Sequence, residues 1–202
     1  MSTATKPGYA SGRARRERIV AEATRLFGRV GFHSATVLEI AAQCGISRAG
    51  LLHHFPTKES LLRAVLEERD RAELARFREN GSAARDGLGV LRGMIDLAEF
   101  NSKASGIIEL YTVLSAEASA PDHPAHDYFV DRYRRIRAGT IWGLTRAQAE
   151  GYLVEGTDIT STAIELTALI DGLQIQWLLA PDEVDMAGQL RKRIEQLVTV
   201  PL

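Results

Sequence analysis

The side chains between Ser47 and His53 have the types and spacing needed to read double-stranded DNA. Arg48 can donate two parallel hydrogen bonds to O6 and N7 of a guanine. Ala49 and Gly50 keep the surface low, so that the backbone can approach a groove and a thymine methyl group can be accommodated. We expect Ser47, Arg48, Ala49 and Gly50 to face base edges and His53 to lie nearer the phosphates.

Two short helices are expected to position these side chains. Thr36 and Glu39 have the spacing of a capping box, which starts a helix by satisfying backbone N–H groups reciprocally. Gly45 can stop that helix, and Ser47 can cap the next one. A pair of short helices joined by a tight turn that contains glycine is the helix-turn-helix pattern. The sequence therefore predicts a DNA reader.

The segment Pro56-Thr57-Lys58 predicts the start of a further helix, with Thr57 as its N-cap. Lys58 falls in the first turn, where the helix dipole disfavours a cation. The conflict disappears if an anion binds there, because a helix N-terminus and a lysine together form a good phosphate site. We therefore expect Lys58 to contact a DNA phosphate, the alternative being a solvated lysine that tolerates its place.

Charge is distributed unevenly along the 202 residues. Residues 1–60 carry nine Lys/Arg and four acidic side chains, a balance of +5, whereas the remainder carries 16 basic and 22 acidic side chains, a balance of −6. This division predicts contact with phosphate at one end of the molecule only. The single cysteine excludes an internal disulfide framework and most zinc sites. Together with an N-terminus that lacks an apolar signal segment, it favours a cytoplasmic protein.

Residues 13–65 resemble the N-terminal domain of the tetracycline-repressor (TetR) family. The resemblance implies an all-helical homodimer with a three-helix DNA-binding head and a variable C-terminal ligand-binding domain. It also implies DNA-facing places for Thr36, Arg48 and Lys58. The residues that carry it are Gly31-Phe32, Thr36, Ile40-Ala41, Gly45-Ile46-Ser47, Gly50-Leu51, His54-Phe55, Lys58-Glu59 and Leu61-Leu62.

One position departs from the family pattern. Leu52 stands where these proteins commonly have a tyrosine, whose hydroxyl would contact a phosphate. Its replacement puts one backbone contact per subunit in doubt. The neighbouring His53 is a candidate to supply another.

The rest of the chain has helical periodicity and no strand pattern. We expect an all-α fold of about nine helices, made of a helix-turn-helix head and a C-terminal helical bundle. Residues 1–12 are predicted to be a disordered arm, which is either a solvated tail or a segment that reaches into a minor groove. Residues 13–60 are predicted to form the DNA-binding domain, and residues 61–202 the ligand-binding and dimerisation domain.

The last two helices are predicted over residues 159–179 and 182–198. The first of them is apolar on nearly all sides, which indicates burial on several sides. A membrane span is excluded because Glu165, Asp171 and two glutamines interrupt it. We expect these helices to pack against an identical subunit, and the resulting twofold symmetry predicts a palindromic operator.

Polar groups inside the apolar helices of the body mark a candidate ligand pocket. Buried polar groups need hydrogen-bond partners, and these are supplied either by the core or by a ligand. The large aromatic residues are either ordinary core residues or part of a pocket wall. Such a pocket would take an apolar or amphipathic effector. The candidates are Asn101, Glu109, Tyr111, Trp142, Asp171, Gln174 and Trp177.

The sequence shows no pattern for catalysis or metal binding. His53 and His54 are adjacent in a predicted helix and so point about 100° apart. His123 and His126 flank Pro124 in a polar loop, where we expect them to be solvated. We therefore predict no enzyme activity, no metal and no cofactor.

These observations predict a ligand-responsive transcriptional regulator, most simply a repressor that binds a palindromic operator as a dimer and is released by a small effector. Two other interpretations remain open at the level of sequence. The protein is either a DNA-binding regulator or architectural protein without an effector, or an enzyme that has reused the fold. The missing catalytic pattern disfavours the enzyme.

Overall fold

The computed structural model describes residues 7–79, 86–103 and 105–202. Over these ranges the chain forms nine α-helices and no strand, which confirms the predicted all-α fold. No helix in the described part is long and apolar enough to cross a membrane. The helices are α1 (Pro7–Ser34), α2 (Val37–Gln43), α3 (Arg48–His54), α4 (Lys58–Glu79), α5 (Gly87–Asn101), α6 (Ser105–Glu117), α7 (His126–Ala149), α8 (Ile159–Leu179) and α9 (Met186–Glu195).

The first helix begins earlier than the sequence pattern predicts. It starts at Pro7 rather than at Arg13, so the prediction of a disordered arm is wrong for residues 7–12. Proline is well suited to the first turn of a helix, because its missing N–H would have no partner there anyway. The remainder of the predicted arm, residues 1–6, lies outside the described residues. Gly31, with φ of 79°, interrupts α1 near its end, a conformation that favours glycine.

The helix-turn-helix forms through the caps that the sequence predicts. The side chain of Thr36 accepts a hydrogen bond from Glu39 N at 3.2 Å, and Glu39 Oε2 accepts one from Thr36 N at 3.0 Å. Gly45 follows α2 with φ of 64°, in the left-handed region. Ser47 Oγ accepts a hydrogen bond from Gly50 N at 3.0 Å and so starts α3. Each cap satisfies backbone groups that the helix ends would leave without partners.

The head and the body share one hydrophobic core. Ile19 and Phe27 of α1 pack with Ile40 and Leu51 of the two short helices, and Leu110 of α6 belongs to the same buried cluster. The predicted domain boundary between residues 60 and 61 falls inside α4, which continues from the head into the body without a break. The head and the body are therefore joined by a continuous helix and a packed interface.

A second core holds the body together. Leu91 and Ile95 of α5 pack against Leu144 of α7, Leu166 of α8 and Leu190 of α9.

The connection between α7 and α8 is tied to the C-terminal segment. An isolated antiparallel bridge joins Leu153 and Val198. Val154 N donates a hydrogen bond to Leu197 O, and Thr199 N donates one to Tyr152 O, both at 2.9 Å.

Candidate DNA-reading surface and effector cavity

The N-terminal turn of α3 is the exposed part of the helix-turn-helix. Ser47, Arg48 and Ala49 are exposed, and Gly50 is partly buried because its N–H is bonded to the Ser47 hydroxyl. Leu51 is fully buried and fixes the opposite face of α3 to the core. This arrangement presents the predicted reading residues to solvent on a short, well-anchored helix.

Thr36 is exposed at the start of α2, but its hydroxyl is already engaged. It accepts from Glu39 N, and it also donates to Glu39 Oε2 at 2.7 Å. The hydrogen bonds that the Thr36 hydroxyl and Thr36 N donate to the carboxylate lower the pKa of Glu39. An anion from the chain itself thus occupies this helix N-terminus, and a contact between Thr36 and a phosphate would have to compete with it.

Lys58 has a different role from the one that the sequence suggests. Its Nζ donates to Phe32 O at 2.7 Å, to Ala35 O at 2.9 Å and to His33 O at 3.3 Å. The ammonium also lies 4.3 Å from the centre of the Phe32 ring. An ammonium has three N–H donors, so this conformation leaves none for a phosphate. Lys58 closes the carbonyl end of α1.

The two histidines at the end of α3 lie in different environments. His53 is exposed, as predicted, whereas His54 is partly buried and burial lowers its pKa. Leu52 is partly buried and contributes no hydroxyl. The rings of His53 and His54 lie 5.7 Å apart. Among the described residues no group of His, Cys, Asp or Glu side chains is arranged to hold a metal ion.

The basic N-terminal part of α1 lies next to the reading helix. Residues 13–18 are exposed and include four arginines. The guanidinium of Arg16 lies 4.8 Å from the ring centre of Phe55, the residue that ends α3. This contact places part of the positive charge of the head beside the recognition helix, where a phosphate backbone would run.

A cavity of about 760 Å³ lies within the helices of the body. Five of the seven predicted pocket residues line it: Asn101, Tyr111, Trp142, Asp171 and Gln174. Glu109 and Trp177 do not, so their prediction as pocket residues is wrong.

The two residues lie outside the cavity wall for different reasons. Glu109 lies on the side of α6 that faces Gly28 of α1. Trp177 packs against a small cluster formed by Ile108, Leu173 and Met186. Helical periodicity alone did not show which face of α6 would meet the cavity or how far along α8 the cavity would extend.

One carboxylate lines the cavity among the described residues. Asp171 accepts a hydrogen bond from Tyr133 Oη at 2.9 Å. Burial raises the pKa of Asp171, although the Tyr133 hydrogen bond and the charge of Arg132 oppose this shift. Burial, with the charge of Asp171, raises the pKa of Tyr133 to about 12.

A network of tyrosine hydroxyls and arginines lies near the cavity end of α4. The hydroxyls of Tyr111 and Tyr128 lie 3.0 Å apart, and Tyr128 Oη donates to Asp70 Oδ1 at 2.7 Å. Arg132 and Arg135 approach the same carboxylate at 3.6 and 3.7 Å. Asp70 is therefore shared by two guanidinium groups and a hydroxyl.

Two buried polar atoms at the cavity wall have no hydrogen-bond partner among the described residues. They are Oδ1 of Asn101 and Nε of Arg69. Asn101 is only 7% exposed. Sequence reasoning did not single out Arg69. The available signal was its spacing, because Arg69 follows the buried Val65 and Leu66 by four and three residues and so shares their face of α4.

A polar joint connects the body to the end of α1. Phe32 N donates a hydrogen bond to Glu117 Oε2, the last residue of α6, at 2.6 Å. A Cβ on Gly31 would collide with the same carboxylate. The ring of His123 packs on those of Phe32 and His33, at centroid distances of 5.3 and 5.1 Å.

The prediction that His123 and His126 are solvated is wrong. His123 is 3% exposed, because its ring fills the joint and its Nδ1 accepts a hydrogen bond from Ala125 N at 3.1 Å. His126 is partly buried, and its Nδ1 lies 2.8 Å from Ala118 O. Burial lowers the pKa of His123 despite the nearby carboxylate of Glu117.

Comparison with known proteins places these features in a family. The family model of bacterial regulatory proteins of the tetR family matches residues 19–65, and that of the C-terminal part of BetI-type transcriptional repressors matches residues 109–199. The transcriptional regulator TtgR of Pseudomonas putida is 29% identical over 195 residues, which span 89% of this chain and 88% of TtgR.

Solved structures show the same fold over nearly the whole chain. A transcriptional regulator from Saccharomonospora viridis, solved in complex with choline, has a TM-score of 0.78 at 25% identity and matches 92% of this chain and 98% of its own. FadR from Bacillus subtilis, solved with stearoyl-CoA, has a TM-score of 0.73 at 16% identity and matches 91% of this chain and 97% of its own. The two family models together cover more than half of the sequence. The chain belongs to the TetR family of DNA-binding transcriptional regulators, and its relatives are regulators rather than enzymes.

Proposed function

We propose that this protein is a transcriptional repressor that binds a palindromic operator as a homodimer and is released when a small effector fills the body cavity. The observation that carries the proposal is the course of α4. This helix starts in the head at Lys58, which closes the end of α1, and reaches the cavity wall at Arg69. One rigid element thus joins the DNA-reading surface to the proposed effector site.

The proposed dimer forms through α8 and α9, with α8 as its apolar part. Ile164, Ile175 and Leu179 are 53%, 48% and 81% exposed, and they share one face of α8 with the small residues Ala168 and Gly172. Small residues at the centre of the face allow two such helices to approach closely.

Helix α9 brings mainly polar side chains to this interface. Its apolar residues Met186, Leu190 and Ile194 are buried inside the subunit, so they are not available to a partner. The exposed apolar face of α8 supports an isologous contact with a second copy of the same helix. A twofold axis between two heads implies operator half-sites about one helical turn of DNA, or a multiple of it, apart.

The size and lining of the cavity support an effector site. Its volume of about 760 Å³ is in the range of small-molecule pockets, and its walls are mostly aliphatic and aromatic with a few polar groups. Choline and stearoyl-CoA, found in two of the related structures, differ in charge. The relatives therefore support binding of a small molecule without fixing its chemical class.

The proposed mechanism is a shift between two arrangements of the heads. An effector can release the operator only if it binds the non-DNA-binding arrangement more tightly. Helix α6 lines the cavity with Tyr111 and Ser115 and ends at Glu117, which is hydrogen-bonded to Phe32 of the head. Filling the cavity would displace α4 and α6 and so change the separation of the two heads. The proposed place of action is the cytoplasm, where chromosomal DNA is accessible.

Two linked measurements test this function. A compound library is screened for ligands that raise the melting temperature, and each hit is then added to the protein–operator complex during a fluorescence anisotropy titration. We expect compounds that stabilise the protein to weaken operator binding. Hits that leave operator affinity unchanged would contradict the release mechanism, and a screen without hits would favour a regulator that has no effector.

A further inference from the structure

We infer that the effector is an organic anion, a carboxylate with an apolar body, and that its carboxylate pairs with Arg69 on α4. The inference rests on the proposed effector-binding function of the cavity and adds to it the chemical class of the ligand and the residue that recognises it.

Arg69 is a cation at the cavity wall that has no counterion among the described side chains. Its Nε is buried and has no hydrogen-bond partner in the described part of the chain. No described carboxylate lies within ion-pair distance of it, and its guanidinium carbon lies 5.5 Å from the ring centre of Tyr111. A guanidinium is planar and can bind a carboxylate through two parallel hydrogen bonds. Its geometry therefore suits the head group of a carboxylate ligand.

Asp70, the acidic residue next to Arg69 in the chain, already interacts with other side chains. Asp70 Oδ1 accepts from Tyr128, and both carboxylate oxygens are approached by guanidinium groups, those of Arg132 and Arg135. With Arg69, three guanidinium groups line the cavity, whereas Asp171 is its only acidic lining residue among those described. The local balance of charge favours an incoming anion over an incoming cation.

Asp171 is weaker evidence for a cationic ligand than Arg69 is for an anionic one. A carboxylate that lacks a counterion can take up a proton, and the burial of Asp171 shifts its pKa in that direction. Asp171 also receives a hydrogen bond from Tyr133 and is near the charge of Arg132. An arginine stays charged at any physiological pH, so Arg69 can be compensated only by an anion.

Asn101 is an independent sign that the cavity is built for a polar ligand. Asn101 is buried, with only 7% of its surface exposed. Its Oδ1 has no hydrogen-bond partner among the described residues. Empty cavities in proteins are lined by apolar groups, whereas an unmatched buried acceptor calls for a donor. We expect the natural ligand to carry, besides its carboxylate, a hydroxyl or N–H group that donates to Asn101.

The rest of the wall suits an apolar body. Met94, Ile107, Ile170 and Leu173 line the cavity, and Phe129 adds an aromatic face. A medium-length alkyl chain or a ring system would bury its surface there, with the carboxylate directed to α4. The ligand would then act on Arg69, which follows Lys58 by eleven residues, or about 16 Å along the same helix.

The experiment compares three probes that share one alkyl chain and differ in head group: decanoate, decan-1-ol and decylamine. Their dissociation constants are measured near pH 7.5 by calorimetry with the wild-type protein, the variant Arg69→Met and the control Arg63→Met. Arg63 is exposed on the same helix and does not line the cavity. The same probes are then added to the protein–operator complex.

We expect decanoate to bind wild type at least ten times more tightly than decan-1-ol. Arg69→Met should weaken decanoate at least tenfold and leave decan-1-ol unchanged, while Arg63→Met changes neither. Arg69→Met should also fold, since it removes a charge that has no counterion among the described residues. If it does not fold, the order of the three probes on wild type still decides the question.

Three results would overturn the inference. They are equal binding of the three probes, no binding of decanoate, and tightest binding of decylamine with loss of that binding in Asp171→Asn. The effect of each probe on operator binding separates failure of this inference from failure of the proposed function. Release of the operator by decylamine would keep the repressor function and reject the anion, whereas tight decanoate binding through Arg69 without operator release would keep the ligand class and reject the release mechanism.

Discussion

Arg48 and Lys58 show how the surroundings of a basic residue decide what it can do. Arg48 is exposed at the first residue of α3, and no described carboxylate lies within ion-pair distance of it. Lys58 is partly buried, with all three ammonium hydrogens on backbone carbonyls of the α1 terminus. Arg48 is therefore available to DNA, whereas Lys58 holds together the helices that present Arg48.

Arg48→Ala should reduce operator affinity at one base position. A bidentate contact to guanine contributes about 1–3 kcal/mol of discrimination, so the loss should be seen with the cognate base and vanish when that base is changed. Anisotropy titrations on a set of single-base operator variants measure it. An equal loss on every variant would remove Arg48 as a base reader.

Lys58→Met should lower the stability of the protein rather than its phosphate contacts. Hydrogen bonds from a charged donor contribute about 1.5–3 kcal/mol, and the variant leaves three carbonyls without them. We expect a lower melting temperature and an unchanged slope of operator affinity against salt. Lys103→Met, at an exposed lysine just after α5, serves as the control. An unchanged melting temperature with a shallower salt slope would restore the phosphate contact.

Asp171→Asn should raise stability more at neutral than at acidic pH. The pKa of Asp171 in the folded protein is raised above its ordinary value of 3.8, so the wild type loses stability as pH rises through the folded pKa. Asparagine stays neutral and retains an acceptor for Tyr133. The gain in melting temperature should be larger at about pH 7.5 than at about pH 4.5. A gain that is the same at both pH values, or that also appears in Asp182→Asn, would argue against the shift.

Among the contacts between helices, a polar joint connects the end of α1 to the end of α6. Glu117 at the end of α6 accepts a hydrogen bond from Phe32 N, beside the non-helical Gly31. The Phe32 ring contacts both the Lys58 ammonium and the His123 ring. Side chains from α4, α6 and the loop before α7 therefore meet at one residue of the head.

Glu117→Ala should loosen this joint. Removing the carboxylate leaves a partly buried N–H without its partner, which costs about 1–3 kcal/mol. Chemical denaturation measures the loss, and Glu99→Ala, at an exposed acid of α5, should change stability by less than about 0.5 kcal/mol. Hydrogen exchange of α1 should also become faster in Glu117→Ala. Equal stability of the two variants would show that the joint contributes nothing.

The helices of the head could be predicted because their signals are local. The capping box of Thr36 and Glu39, Gly45 in the turn and Ser47 before α3 each act within a few residues, and all form as expected. Propensity was misleading at the N-terminus, where α1 starts at Pro7 in spite of glycine and serine in its first turns. Local signals thus predicted which elements form better than where they begin.

The site itself depended on contacts that are distant in sequence. Lys58 donates to carbonyls that lie 23 to 26 residues earlier in the chain. Glu117 accepts a hydrogen bond from Phe32, from which it is separated by 85 positions. His123 is buried by residues of the head, so the polar loop around it gave no sign of this. Periodicity identified five residues of the cavity wall but missed most of its other polar residues. Arg69 is one of those missed, because an arginine on a charged helix is usually solvated.

At the scale of the whole molecule, the unpartnered apolar face of α8 supports the proposed dimer. Its exposed isoleucines and leucine lie along one side of a helix whose other side belongs to the body core. A second copy of the chain would cover this face and hold two heads at a fixed distance. Two heads at a fixed distance are what a palindromic operator requires.

Ile164→Glu should convert the dimer into a monomer. The change places a charge within the proposed α8 contact, where the carboxylate would lose its hydration against the apolar face of the partner helix. Light scattering after size-exclusion chromatography gives the mass. Leu38→Glu makes the same kind of change at an exposed leucine of α2 and should leave the mass unchanged. A dimer that persists in Ile164→Glu would place the interface elsewhere.

The most direct test of the account is binding of the purified protein to DNA from immediately upstream of its own gene, measured as a salt series against random DNA of equal length. The account predicts tight, sequence-selective binding with two subunits per site, together with a salt dependence that reflects phosphate contacts of the basic head. Weak binding that is equal on all sequences and falls steeply with salt would contradict it. The helix-turn-helix would then be a general DNA-holding surface, and the protein would not be a repressor with an operator of its own.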